Sequence, residues 1–373
     1  MRGATAGLTG LLIACTGAVC APIQVTPRPA DPVLVDARGA PDANGFAALV
    51  AETERARGLH FVRFPTLELA AADDDRAAGW LAAEREALPC APPAEPSAAP
   101  APGSCFPAAG KAGIVCIAPP ELESARRALR GLLDAQAYPR LVRAAATLGG
   151  DAGLALRSLL AGSAAGSSAD PTSVAREESA DLLDLDPIAV ERQEASPTAC
   201  IGLGQHFLSA LPDPEAAFRR PPLATKLLLS PRRYRAGEHP RRLTGAAPHV
   251  DGCSVESDES IGVARLLLTV LGQGNPVSGP MLASWQGDRA VRFTCEDGER
   301  APWVYAAELA DEAHAAAFAA ALPGLLPREL RGPTEIRVAG ARVAAAHGLG
   351  AAAAQRWAAG LASEPMIELP GSE

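Results

Sequence analysis

Apolar residues along this chain recur mostly at spacings of three and four, and in a few short stretches they alternate or run together. From Asn44 to Arg57 they place Phe46, Leu49 and Val50 on one helical face, and Gly58 ends the pattern. His60 to Leu69 (HFVRFPTLEL) reads as a strand. Asp73 to Leu88 predicts a helix with Trp80, Leu81 and Leu88 in the core. The Ala/Pro-rich stretch from Pro89 to Gly103 predicts an extended loop, which belongs to a broader loop region at 89–104. Ile114 to Ile117 is short and apolar throughout, as in a buried strand, and Glu121–Leu133, Tyr138–Leu148 and Asp151–Leu160 follow with helical spacing. The last of these stops at Gly162, and Ser163 to Ser173 is small and polar, as in a loop. Further helices are expected at Glu177–Gln193 (interrupted by Pro187), Leu203–Leu211 (closed by Pro212) and Ile261–Leu271.

The end of the chain has the clearest pattern. Ala290–Cys295 and Trp303–Glu308 predict a hairpin around Glu296-Asp297-Gly298-Glu299, followed by a helix over Asp311–Leu322. Glu335–Val338 and Arg342–Ala346 predict a second hairpin at Ala339-Gly340, then a helix over Gly350–Leu361. The fold class expected is α+β: a helix-rich body with a C-terminal ββαββα layer, a small antiparallel sheet covered on one face by its two helices. The body spans 43–273, and the C-terminal part, 274–373, packs on it.

The beginning of the chain adds a compartment. Arg2 precedes an uncharged stretch whose apolar centre, Leu8 to Cys15, is too short for a bilayer span and reads as a secretory signal within residues 1–20. Leu12-Ile13-Ala14-Cys15 resembles a lipobox, which would make Cys15 the lipidated first residue. Ordinary cleavage near Cys20 and an uncleaved anchor are the other readings. Residues 21–42 are Pro-rich and aperiodic, as in a tether. The location expected is therefore the bacterial cell envelope, held by an N-terminal lipid, with periplasmic or secreted forms as alternatives. Beyond the leader stand Cys90, Cys105, Cys116, Cys200, Cys253 and Cys295, candidates for three disulfides in fifteen pairings. A bridge from Cys90 to Cys105 would staple the ends of the Ala/Pro-rich loop.

Charge and candidate chemistry narrow the function classes. The chain has 373 residues and a formal net charge of −9, which argues against nucleic acid as a partner. Cys residues are too widely spaced for a zinc knuckle, and the six His include no pair three or four apart. His239, His249, Asp251 and Cys253 form the densest set of donor residues, in a loop read as solvated. Neither G-x-S-x-G nor a phosphate loop occurs, and Gly202-Leu203-Gly204 lacks the preceding strand that a nucleotide-binding turn needs. Glu177-Glu178 and Asp184/Asp186 read as solvated helix faces. Arg232, Arg233, Arg235, Arg241 and Arg242 read as a solvated loop, with anionic headgroups or polymer as the functional alternative.

One resemblance runs through several segments. Pro221-Pro222-Leu223-Ala224-Thr225-Lys226 precedes Pro231-Arg232-Arg233-Tyr234-Arg235-Ala236-Gly237-Glu238-His239-Pro240. Glu259-Ser260-Ile261-Gly262 and Ser284-Trp285-Gln286-Gly287-Asp288-Arg289 follow, then Trp303 and the helix Asp311–Leu322, while Arg57-Gly58-Leu59-His60-Phe61 lies upstream. Their order resembles that of exported bacterial zinc metallopeptidases of gluzincin type, which carry PP-x-x-T, P-x-x-Y-x-x-G-E-x-P and G-W-x-G-D-R elements and an R-G-L-x-F opening. The resemblance implies zinc ligands from an H-E-x-x-H helix and a later glutamate in L-x-E-G-x-A. Here Arg127 and Gly131 stand at the histidine positions, Ala128 at the general base and Ala161 at the glutamate. Arg stays protonated, and Gly and Ala have no donor atom, so no metal or other cofactor is expected and no catalytic residue is assigned.

The reading that follows is a non-catalytic envelope lipoprotein with a metallopeptidase-like scaffold that binds a protein or polymer. A groove between the two former zinc helices is its candidate site, lined by Arg130, Gln136, Tyr138 and Asp151, with Arg127 and Arg130 suited to an anionic group. An exported enzyme of another hydrolase class using Gln136, Tyr138 and Asp151, and a purely structural surface protein, are the alternatives.

Overall fold

The computed structural model describes residues 12–14, 21–23, 31–71, 101–108, 112–166, 199–244, 247–266, 279–296, 301–325, 334–349, 351–363 and 366–368. The expected helices Asp73–Leu88 and Glu177–Gln193, together with Cys15, Cys20 and Cys90, lie outside them, as does most of the Ala/Pro-rich loop.

Near the start of the chain, β1 (Leu12–Ala14) pairs antiparallel with β2 (Ala21–Ile23). Helix α1 (Ala43–Arg57) starts where Asp42 accepts hydrogen bonds from the N–H groups of Asn44 (2.9 Å) and Gly45 (3.2 Å), and it ends at Gly58, whose φ of 64° is left-handed. Its buried face, Phe46, Leu49 and Val50, meets Leu34, Ile114, Cys116 and Leu129. Part of the stretch expected as a tether touches these elements: Leu34 is buried among them and Asp31 pairs with Arg126 at 3.0 Å, while Val35 is bridged to Pro41 and most other positions of 31–42 are exposed. The small strand layer orders as β3 (Thr66–Ala70), β5 (Gly113–Ile117), β4 (Cys105–Pro107), with β3 parallel and β4 antiparallel to β5. The strand expected over His60–Leu69 thus begins only at Thr66. Pro65 lacks an N–H for the ladder, and the Phe61 N–H is taken by Glu54 Oε1 at 2.8 Å.

The helical layer comprises α2 (Leu122–Ala137), α3 (Pro139–Thr147), α4 (Gly150–Ala165), α5 (Ala199–Ser209), α6 (Ala216–Arg219), α7 (Thr225–Leu229) and α8 (Pro231–Arg235). Helix α4 runs past Gly162, so Ser163 to Ala165 are helical rather than loop, and Gly166 (φ 70°) ends it. Gly162 instead serves the crossing of α4 with α5. A Cβ there would collide with the Gly204 backbone, and one on Gly204 would collide with the Ser158 carbonyl. Gly202-Leu203-Gly204 accordingly lies inside a helix and is no phosphate-binding turn. A Cβ on Gly202 meets nothing within 4 Å. Gly204→Ala is therefore expected to lower stability by about 2–3 kcal/mol, because the helices must part. Gly202→Ala, two residues away, is expected to raise it by roughly 0.5–1 kcal/mol through helix propensity. Denaturant midpoints of the two variants check this, and equal signs would contradict the tight crossing.

The main sheet is five-stranded and antiparallel, in the order β10 (Glu335–Ala339), β11 (Arg342–His347), β9 (Trp303–Glu308), β8 (Gly287–Cys295), β7 (Cys253–Glu259). From β8 onward the element order is ββαββα, with α10 (Glu312–Leu325) and α11 (Ala351–Ser363) as its helices. A short helix, α9 (Gly279–Ala283), precedes it, and β6 (Arg241–Leu243) pairs with β12 (Met366–Glu368). The two helices do not share a face, which corrects the one-sided arrangement. Phe318 and Leu322 of α10 pack with Tyr305, Ala307, Val343 and Ala345, whereas Ala354 of α11 packs with Val291, Phe293, Val304 and Ala346 on the reverse side. Burial on both faces explains why β9 and β11 are apolar at nearly every position.

Among the described residues two disulfides join positions directly opposite each other on paired strands: Cys105–Cys116 across β4 and β5, and Cys253–Cys295 across β7 and β8. The first replaces the expected Cys90–Cys105 staple, since register rather than loop position brings the sulfurs together. Cys200 lies in α5. No described helix is long and apolar enough to cross a membrane.

Candidate functional site

The four positions where the resemblance implies zinc ligands and a general base carry no such group. Arg127 is exposed, and Ala128 packs in the α1–β5 core. Gly131 faces α4, where an added Cβ would sit 3.7 Å from Ala164 Cβ, and Ala161 is half-buried on α4. None presents a donor atom, so these residues do not fit a zinc ion. Among the described residues no group of three or more His, Cys, Asp or Glu is placed to hold a metal. Cys253 is spent in its disulfide, while His249 and Asp251 are almost fully exposed at 3.1 Å from each other.

One turn beyond Gly131 the α2 stripe of Ala125, Ala128, Leu129, Leu132 and Leu133 continues into a carboxylate, Asp134, which is 1% exposed. Its Oδ1 accepts from Arg57 Nη2 at 2.8 Å and its Oδ2 from Ser163 Oγ at 2.6 Å. The second arm of Arg57 pairs with Glu215 Oε1, and the Tyr138 hydroxyl donates to Glu215 Oε2. The Arg57 guanidinium lies 4.9 Å from the centre of the Phe218 ring, and Tyr138 stacks on the same ring at 4.9 Å. Five local features build this knot: the end of α1, the buried stripe of α2, the α2–α3 junction, the end of α4, and the Glu215–Phe218 turn of α6. Burial pushes the Asp134 carboxyl above its usual range, against the pull of Arg57 and Ser163. Burial also opposes the charge on Arg57, but Asp134 and Glu215 outweigh it and hold the guanidinium above its ordinary value. Burial and Glu215 push the Tyr138 hydroxyl up to about 12. Every carboxylate oxygen in the knot already accepts a hydrogen bond.

The groove-lining residues expected from sequence have other duties. Arg130 Nη1 donates to the Ala165 carbonyl at 2.9 Å and so caps the end of α4. The Gln136 amide accepts from the Arg63 N–H at 3.0 Å and donates to the Arg63 carbonyl at 3.3 Å. Tyr138 belongs to the knot. Asp151, at 3% exposed, lines no open groove.

Asp151 instead lies in a second buried polar centre, where three of the motif segments meet. Its N–H donates to the Ser260 carbonyl at 2.8 Å, and its Oδ1 accepts from both the N–H (3.1 Å) and the hydroxyl of Thr225. Thr225 Oγ1 in turn accepts from the Ala264 N–H at 3.0 Å. Asp288, at the start of β8, accepts from Ser260 Oγ, from the Gly262 N–H at 3.1 Å and from the Tyr305 hydroxyl at 3.1 Å. Gly262 (φ 78°) threads between the two carboxyls, and a Cβ there would strike Asp151. Burial dominates both groups: the Asp151 carboxyl rises to about 7 despite Thr225, with Asp288 adding repulsion, and Asp288 rises to about 6 despite its donors. Arg289 turns away to clasp Asp258 (2.9 and 2.7 Å). Nearby, buried Lys226 Nζ lies 2.7 Å from Glu238 Oε1, and Arg233 reaches the same carboxylate at 3.2 Å. The Thr225, Ser260-Ile261-Gly262 and Asp288-Arg289 segments thus join the helical layer to the sheet.

Sequence reasoning missed Asp134, and it quoted Asp288 only within a motif, without its buried role. Asp134 carried a readable signal, an acid on an otherwise apolar helical stripe. Its partner Arg57 is 77 residues away and carried none. Comparison with protein-family models, with curated proteins and with solved structures found no match in any of the three.

Proposed function

We propose that this chain is a non-catalytic protein of the bacterial cell envelope, exported and held by an N-terminal lipid, which binds or scaffolds on a metallopeptidase-like body. The observation that supports this reading is the state of the polar groups beside the former zinc helices. Asp134, Glu215, Tyr138, Ser163 and Arg57 are bonded to one another and fasten five elements together. A general base or nucleophile needs an acceptor or hydroxyl facing substrate, and here those atoms face each other. Arg127, Ala128, Gly131 and Ala161 supply no metal ligand and hence no activated water.

The test uses the purified full chain, with zinc content measured by elemental analysis and peptide cleavage followed with and without a chelator. Substoichiometric zinc and no chelator-sensitive cleavage are expected. One bound zinc per chain with cleavage that stops on chelation would overturn the proposal. Chelator-insensitive hydrolysis that is lost in Tyr138→Phe would favour the other-hydrolase reading.

A further inference from the structure

Among the described residues the two most exposed large apolar side chains are neighbours: Val62 is 77% and Phe64 is 64% exposed. Their loop is fixed. Glu54 holds the Phe61 N–H, Gln136 brackets both backbone groups of Arg63, and Pro65 is buried. A rigid loop that shows two apolar side chains to water loses little entropy when something covers them.

The base of this loop is Arg57, which rests on Phe218, and Phe218 is followed directly by Arg219 and Arg220. There begins the most basic stretch of the molecule. Residues 219–242 hold eight Lys or Arg and one acid, Glu238, in a chain whose net charge is −9. Protein partners account for part of that charge. Lys226 and Arg233 share Glu238, Arg242 pairs with Asp258, and Arg219 pairs with Asp213. Arg220 and Arg235 are exposed and have no acidic partner among the described residues. The Tyr234 hydroxyl donates to the Arg220 carbonyl at 2.8 Å, which ties the end of α6 to α8, the two elements that carry these arginines.

We propose that the Val62–Phe64 loop and the arginine-rich ends of α6 and α8 form a docking surface for a bilayer of anionic lipid. Phenylalanine and valine side chains enter the boundary between headgroups and acyl chains, and guanidinium groups bind lipid phosphates in bidentate fashion. The surface acts separately from any lipid at Cys15, and the inference stands whether or not the protein is catalytic.

The experiment is vesicle co-sedimentation of the full chain carrying Cys15→Ser, which removes acylation. Vesicles are phosphatidylcholine alone or mixed with phosphatidylglycerol. The protein is expected to sediment with the mixed vesicles, and less as salt is added. Arg220→Glu/Arg235→Glu and Val62→Ser/Phe64→Ser are each expected to lower the partition coefficient about tenfold or more. All four positions are exposed, so melting temperatures stay at the parent value, which separates lost docking from lost folding. Three results would overturn the proposal: equal partition onto neutral vesicles, no partition onto anionic ones, or unchanged partition in both double variants.

Discussion

The protein is expected to melt at a lower temperature at pH 8 than at pH 5, and Asp151→Asn is expected to remove most of that difference. Asp151 and Asp288 hold their protons in the folded state up to about pH 7 and 6, where burial places them, but release them near pH 4 once unfolded. Between those limits the folded chain binds more protons than the unfolded one, so stability falls as pH rises. The contribution is intact below about pH 4 and is gone above about pH 7. Two raised carboxyls of this size amount to the order of 4 kcal/mol or more across the window. Asp258, held low by its hydrogen bond to Arg289, and Glu238, held low by Lys226, work in the opposite sense, but their window lies at more acidic pH. Asn at 151 keeps an oxygen for the Thr225 donors and cannot ionise. Asp288→Ala differs in kind, because it strands Ser260, the Gly262 N–H and Tyr305, and is expected to destabilise at every pH by about 3 kcal/mol. Thermal unfolding from pH 5 to 8 checks all three. A melting temperature that rises with pH in the parent would refute the buried, protonated state.

Asp151 and the segments holding Thr225, Ser260 to Gly262 and Asp288 were each singled out in the sequence, but the burial of the two carboxyls beside one another was hidden for a physical reason. Asp151 opens a helix, where an acid is ordinary, and Asp288 stands in a strand next to Arg289, where alternation sends one of the two side chains to each face. Only the sheet pairing shows that Arg289 turns to Asp258 and leaves Asp288 inside. What was legible came from periodic burial: the α1 face through Phe46, Leu49 and Val50, the α2 stripe, and the β8 to α11 order. Strand β7, CSVESDE, gave no such signal because an edge strand exposed on most positions has little apolar alternation to show. The placement of α10 and α11 on opposite faces was written in the continuous apolar runs of β9 and β11, which a one-sided sheet would not need. Arg232, Arg233, Arg235, Arg241 and Arg242 were legible as a charge run, but the contact of Arg57 with Phe218, next to Arg219 and Arg220, carried no sequence signal.

Arg57→Ala is expected to cost about 3–5 kcal/mol, because it leaves the Asp134 carboxylate buried without its cation. Asp134→Ala should cost a similar amount by stranding the Ser163 hydroxyl and weakening the hold on Arg57. The two losses are not expected to add. With both partners gone no buried charge is left unpaired, so Arg57→Met/Asp134→Leu, which also refills the volume, should be more stable than either alanine variant. Asp134→Asn separates geometry from charge: its amide oxygen still accepts a hydrogen bond, so it should fall between the parent and Asp134→Ala. Denaturant midpoints of the parent, Arg57→Ala, Asp134→Ala and Arg57→Ala/Asp134→Ala close a cycle with an expected coupling of about 2–3 kcal/mol. The size of that coupling bears on function. A strongly coupled pair is a fastener that holds α1, α2, α4 and α6 in register. Additive losses would mean that Arg57 and Asp134 act separately, and the support these groups give to a non-catalytic scaffold would go with the coupling.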